Sequence, residues 1–330
     1  MAVIANTFVS TSAKGNREQL SDVVSRIDPE ETPIYSLIGK TTFSGTHPEW
    51  ETDSLSAPAD NVQAEGDDYS FGATTPAVRV GNYTQIMRKE GIISGTQDAT
   101  DNAGSVEQVK YQKLKKGVEL RRDVEYSIVA ANASVAGATR KSGSLSSWIT
   151  TNVSRGATGA NGGYNSGTGL TVAPTNGTQR AFTKTIMDTV MQQAAVSGAK
   201  LKHVVGSHYI KSVFVTFMSD ANVASFRYAA AAGGKNEIIA TADVYAGPFG
   251  RVFVHENYVQ SSAAALARNV FFIDPDMIEW GWFRKIKEDK DVAKTGDAQK
   301  FVLLGEGALK VNSEKGLGVA ADVYGLTSST

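Results

Sequence analysis

The chain has 330 residues, 41% hydrophobic and 20% charged, with 33 Lys and Arg against 34 Asp and Glu for a formal net charge of -1. That length suffices for one or two domains with real cores, and the balanced charge excludes the basic excess of a wholesale nucleic-acid binder. The absence of cysteine excludes disulfides, thiolate nucleophiles and Cys-based zinc sites.

The first twenty residues, MAVIANTFVSTSAKGNREQL, lack the basic start and long apolar run of a secretory signal. No stretch approaches the ~20 apolar residues that span a bilayer, so the expectation is a protein made and kept in the cytosol of its producing cell. Residues 1 to about 40 read as a polar tail, where Ser21 suits a helix cap, followed by a short helical piece. Pro29 and Pro33 interrupt any long helix, Ile34, Leu37 and Ile38 fall at helical spacing, and Gly39 suits the end of the turn. So few apolar residues leave this arm little to rest on except a neighbouring surface.

Phe43 to Asn82 is too polar, and too broken by Pro and Gly, to form a core. HPEWETDSL and AVRVGNYTQIM at its two ends read as the arms of a long hairpin, a structure at best marginally stable in water without further packing. Another copy of the same chain is the expected support. The alternation continues through Ile86 and Ile92 as a strand. Ser105 and Gln108 then form an S-x-x-Q capping box opening one helix from about Ser105 to Ala136. Val106, Val109, Leu114, Val118, Val124, Ile128 and Ala131 make its apolar stripe, while Arg121 with Glu125 and Lys115 with Glu119 suit a solvated opposite face. Gly137 is placed for its C-cap, and its length is about 45–50 Å.

Residues 156 to 178 are rich in Gly, Thr and Asn and read as a mobile surface loop. FTKTIMDTVMQQAAVSG follows as an amphipathic helix with Ile186, Val190 and Met191 on one face. LKHVVGS is a strand and HYIKSVFVTFM a helix. TADVYAGPFGRVFVHEN is a hairpin turning at Gly247 to Gly250, and NVFFID a buried strand. IEWGWFRKI, FVLLGEGALKV and GVAADVY close the chain as strands. Helices alternate with strands early and strands dominate late, so the fold class is α+β with mixed sheets.

Candidate chemistry is sparse. The glycines of 156–169 lack the G-x-x-x-x-G-K-[ST] pattern of a phosphate cradle. His47, His203, His208 and His255 show no metal-ligand spacing, and no serine sits in a G-x-S-x-G elbow. Glu65, Asp67 and Asp68 lack the ordered ligands of a calcium loop. They read either as a solvated hairpin tip or as a negative finger docking on basic residues of the next subunit. Trp280 and Trp282 suit a core, and Trp50 suits an interface because the hairpin has so little core of its own. No catalytic, cofactor-binding or metal-binding residue is assigned. Trp50, Glu65, Asp67, Asp68 and Arg79 are the candidate subunit-interface residues.

Laid out as arm, hairpin, long helix and compact body, the chain resembles the major capsid proteins of tailed bacteriophages with the Hong Kong 97-type fold. GNREQLSDVVSRIDPEETPIYSLIGK in the arm, HPEWETDSL and GNYTQI flanking the hairpin, and ISGTQDA ahead of the helix carry the resemblance. So do ELRRDVEYSIVAANASVAG within the helix, DVYAGPFGRVFVHEN, FFIDPDMIEWGWFR and AKTGDAQKFVLLGEGALKVNSEKGLGVAADVY. The resemblance implies an N-terminal arm at 1–40, an extended hairpin loop at 41–82, and a peripheral domain with its spine helix at 83–146. An axial domain at 147–275 and peripheral strands at 276–330 follow. It further implies a structural protein without a cofactor that assembles with itself into hexamers and pentamers of an icosahedral head. Packaged double-stranded DNA is met nonspecifically on the inner face, portal, scaffolding and decoration proteins are further expected partners, and no membrane is involved. The expected location is the virion capsid, assembled in the bacterial host cytoplasm. The alternatives are an encapsulin-like compartment shell and a cytosolic enzyme with a Gly-rich lid at 156–178.

Overall fold

The computed structural model describes residues 28–69, 71–100, 108–217, 243–293 and 296–323. Two mixed sheets organise them. The first has four strands in the order β1 (Gly39–Thr42), β12 (Ile278–Asp289), β13 (Ala298–Val311) and β4 (Gln85–Ser94). β1 runs parallel to β12, and the other pairs are antiparallel. The second has six, in the order β5 (Val153–Ser154), β14 (Leu317–Ala320), β11 (Val270–Ile273), β8 (His203–Gly206), β10 (Gly250–Glu256) and β9 (Val244–Gly247). The last strand of the chain, β14, thus belongs to the sheet of the middle segment, between β5 and β11.

β11, VFFI, is buried on both faces, as its unbroken apolar run requires. Phe272 and Val270 face α4 (Lys184–Val196) and α5 (His208–Thr216), packing with Met187, Val190, Met191 and Phe214. Phe271 and Ile273 face the other way, into a core shared with Ile128, Trp280 and Leu309. Thr183 caps α4 by accepting Ile186 N–H, and Ser207 caps α5 by accepting Ile210 N–H. The β9–β10 turn falls at Gly247 to Gly250, where Gly250 takes φ +133°. The short α6 (Tyr258–Ser261) and α7 (Ala264–Ala267) link β10 to β11. Among the described residues no helix is long and apolar enough to cross a membrane.

After the short α2 (Gly95–Ala99), the long helix α3 is described over Gln108–Val129, 22 residues or about 33 Å, and it ends at Val129 instead of near Ala136. Ser105 and Val106 lie outside the described residues. At its C-terminal end Asn132 N–H goes to the Ser144 side chain at 3.0 Å instead of continuing the helix, a hydroxyl competing with the helical ladder. Gly137 therefore caps nothing; with φ +105° it turns the chain between Val135 and Lys141, which form a bridge. Of the apolar stripe Val124 and Ile128 are buried, whereas Leu114 is 74% exposed and Ala131 is exposed too; Leu120, outside the expected stripe, is buried beside them. Glu119 pairs with Lys116 at 2.8 Å, not with Lys115. Glu125, expected on the solvated face, is fully buried.

The arm also differs from expectation. In α1 (Pro33–Leu37), Ile34 is buried, as is Ile38 just beyond it, and β1 continues into the four-stranded sheet. Residues 33–42 therefore rest on their own chain. The Gly-rich segment is not a free loop: β6 (Gly163–Asn165) pairs with β7 (Leu170–Val172), and Ala160 bridges Thr175. The buried Asp322 carboxylate accepts Gly156 N–H at 3.0 Å and Gly177 N–H at 2.9 Å, closing both ends of the segment. A hinged lid has no place there.

Candidate functional site

The hairpin consists of a short rigid root and a long unpacked tip. β2 (Glu49–Thr52) and β3 (Val78–Gly81) pair antiparallel over four residues, Trp50 opposite Val80 and Glu51 opposite Arg79. Between them the described residues of 53–77 carry no strand. Pro58, Gly66, Gly72 and Pro76 fall in this stretch and prevent a continuous ladder.

Polar groups around the root bind it to the four-stranded sheet. Trp50 Nε1–H donates to Val311 O at 2.8 Å, and its ring lies 5.6 Å from Trp148, which in turn stacks on Tyr164. Asn82 is buried: its amide donates to Leu309 O at 2.7 Å and its oxygen accepts Gly143 N–H at 2.9 Å. Thr84 N–H closes on Thr46 O at 3.0 Å, while the Thr84 hydroxyl donates to Glu306 at 2.7 Å. Glu306 also accepts from Arg140 at 2.7 Å and from Arg284 at 2.9 Å. Burial by itself would raise this carboxyl, but the bonds from Thr84, Arg140 and Arg284 hold it below its ordinary value.

The tip is the opposite. Leu55 is 98% and Phe71 95% exposed, and Val62 and Tyr69 are nearly as open. Glu65, Asp67 and Asp68 surround a turn in which Gly66 takes φ +83° and Asp67 N–H reaches Ala64 O. Among the described residues their carboxylates meet no cation: Asp67 accepts Asp68 N–H, and Asp68 accepts Tyr69 N–H. From Asp53 to Ala77 there are five acidic residues and no Lys or Arg. Of the five candidate residues, then, the structure brings Glu65, Asp67 and Asp68 together at the tip. Trp50 sits in the root against its own body, and Arg79 pairs with Glu49 across β2 and β3.

The buried carboxylates Glu125, Glu306 and Asp322 were missed by sequence reasoning. Each lies beside residues remote in the chain, and no local pattern marks them. Nothing in the arrangement provides for catalysis. His203 Nδ1 and His255 Nε2 lie 2.9 Å apart, both rings held below their ordinary value first by burial. His208 bonds to Ser261 and His47 stacks on Tyr83. Among the described residues no three or more His, Asp or Glu side chains group to hold a metal.

A paired root, an unpacked finger, a spine helix and two mixed sheets define the capsid-protein fold of the Hong Kong 97 type. A cyanophage A-1(L) capsid subunit superposes with TM-score 0.62 at 13% identity, over 96% of this chain and 99% of that one. The capsid of a native GTA particle gives 0.61 at 10% identity, over 96% and 98%. At those identities the likeness concerns the fold. The sequence match is narrower and more specific: the major capsid protein of Escherichia phage Phieco32 is 35% identical over 127 residues, 38% of this chain and 36% of that protein. A model of the SU10 major capsid protein family matches residues 4–324, and the chain belongs to that family. It is a structural protein of a phage capsid and not an enzyme, and neither the encapsulin-like nor the enzymatic alternative is favoured.

Proposed function

We propose that this chain closes an icosahedral phage head as hexamers and pentamers around double-stranded DNA, assembling in the cytoplasm of a bacterial host. The finger at 53–77 carries the reading. It holds Leu55, Val62, Tyr69 and Phe71 in water with no surface of their own chain beneath them. Covering one such side chain contributes ~1.5–3 kcal/mol, so a neighbour that covers all four supplies on the order of 6–12 kcal/mol before the cost of association. Identical copies repeating that contact around a ring make a shell cooperative.

In this reading residues 1–40 are the arm, 41–82 the extended loop, 83–146 the peripheral domain with its spine helix, and 147–275 the axial domain. Of the return segment 276–330, β12 and β13 go with the peripheral sheet and β14 with the axial one, following their strand pairing. Trp50, Glu65, Asp67, Asp68 and Arg79 are interface residues of two kinds: Trp50 and Arg79 aim the finger, and the three carboxylates dock it on a basic surface next door. Portal, scaffolding and decoration proteins are the remaining partners.

Negative-stain microscopy and sedimentation velocity on the purified chain test the reading. Rings or closed shells are expected. In a variant with residues 54–77 replaced by a short Gly-Ser linker, a folded monomer by circular dichroism and no particles are expected. Shells formed by the deletion variant would overturn the role of the finger.

A further inference from the structure

Glu125 lies where three elements remote in sequence converge. Through Oε1 it accepts Ile34 N–H at 3.1 Å and through Oε2 Tyr35 N–H at 2.8 Å, while Thr32, the residue ahead of α1, makes no side-chain cap bond. Asn257 Nδ2 donates to Oε1 at 2.7 Å, and the oxygen of the same amide accepts Val259 N–H at 2.9 Å at the start of α6. One fully buried carboxylate of α3 thus ties the arm on one side and the link to the second sheet on the other. Its three donors are neutral amides, and among the described residues no cation touches it.

We propose that the Glu125 carboxylate is a proton-operated latch on the N-terminal arm, its protonation setting how often α1 lifts from the spine helix. The carboxyl is not replaceable by ordinary packing. With the arm lifted it meets water, and with the arm docked it is sealed among amides that leave water no access. A charge costs more to keep in the second place than in the first, so docking and proton binding are coupled.

Burial pushes the carboxyl up to about 7, against the downward pull of the Tyr35 and Ile34 amides, Asn257 and the Arg121 charge. The surrounding charged groups are few. On α3 itself Arg121, one turn earlier, donates to Ser36 Oγ at 2.9 Å and lies over Tyr35. From the arm, Lys40 covers the Tyr35 ring at 4.3 Å and binds Ile38 O, and Glu31 leads into α1 with Asp28 and Glu30 ahead of it. From α6, Tyr258 faces the helix with Arg122 over its ring, and His208 of α5 packs edge-on against Tyr258.

The direction of the effect follows. The docked carboxyl holds its proton up to about 7 and the exposed one only to its ordinary 4.5. The docked state therefore binds more proton between those values, so acid favours docking and rising pH weakens it until the effect levels off above 7. Between pH 8 and pH 6 opening becomes roughly ten-fold rarer.

The test is hydrogen–deuterium exchange of the 33–38 segment in the full chain from pH 5 to 8.5, corrected for intrinsic exchange. Wild type is expected to gain about ten-fold protection from pH 8 to 6, Glu125→Gln to give a flat profile, and His208→Gln to keep the wild-type one. Arg121→Gln removes a charge that favours the carboxylate together with the bond to Ser36 Oγ, so it is expected to move the midpoint upward while lowering protection alike at every pH. A flat wild-type profile, or a rise that persists in Glu125→Gln, overturns the latch. If Glu125→Gln does not fold, an unmoved midpoint in Arg121→Gln overturns it equally.

Discussion

Replacing Glu306 by Gln removes the charge on which the root of the finger is built. The side chain is 2% exposed and its two oxygens take the Thr84 hydroxyl and the guanidinium groups of Arg140 and Arg284. Gln keeps one acceptor but turns an amide NH₂ toward one of the two cations, Arg140 at Oε1 or Arg284 at Oε2. Breaking a buried pair in this way costs about 3–5 kcal/mol. Arg284 is 45% exposed and can turn to water, which places the expected loss at the lower end, about 3 kcal/mol. Because the native carboxyl is held below its ordinary 4.5, its contribution is fully present above that value and is lost as pH falls through the lower folded value. Urea titration of dissociated protein at pH 7 should therefore show the full deficit, and titrations toward pH 3 should show wild type and variant converging. A variant within about 0.5 kcal/mol of wild type at pH 7, the range of an ordinary surface change, would refute the network as a structural support.

Trp50→Ala should lower stability by about 2–3 kcal/mol, from the lost bond to Val311 and the aromatic contact with Trp148, and Trp50→Phe by about 1 kcal/mol; thermal unfolding measures both. Gly281→Ala should destabilise by about 1–3 kcal/mol, because a Cβ there would stand 2.0 Å from the Phe43 ring, and Phe43→Ala in the same chain should restore most of the loss. Leu55→Ser with Phe71→Ser should leave the circular dichroism spectrum of the monomer unchanged and abolish particles in the microscope. Asp67→Lys with Asp68→Lys should slow assembly followed by light scattering at low salt, and the difference should shrink at high salt as screening sets in.

Much of the scaffold was legible because its signals are local. The spacing of Ile186, Val190 and Met191 gives α4, and glycines bracket the β9–β10 turn. The unbroken VFFI can only be a strand covered on both faces. The arm failed the same test: Ile34, Leu37 and Ile38 looked too few to hold it, because a carboxylate some ninety positions downstream supplies the missing bonds. Arg121 and Glu125 misled for a related reason. Four apart on a helix, they have the spacing of a solvated pair whether or not the second is sealed under another element. Trp50 was assigned to a neighbour on the argument that a hairpin has no core. The structure rests its indole on its own body, at Val311 and Trp148, and gives the described residues of the tip no such packing.

That division between root and tip has a geometric reason. Asp53 to Ala77 are 25 residues, so each side of the finger can extend up to ~40 Å. At that reach a tilt of ~5° at the root carries the tip ~3.5 Å, more than the length of a hydrogen bond. A finger aimed by a four-residue ladder alone would therefore miss its acceptor as often as it met it, since short hairpins are marginal in water. The buried amide of Asn82, the indole of Trp50 and the Glu306 network are what remove this freedom, tying the root to β13 at three points, Leu309, Val311 and Glu306. On the proposed reading the tip needs the reverse property, because in a closed shell it would meet neighbours at more than one angle. A segment without a ladder would adapt to each, with apolar side chains supplying the attraction and carboxylates the register.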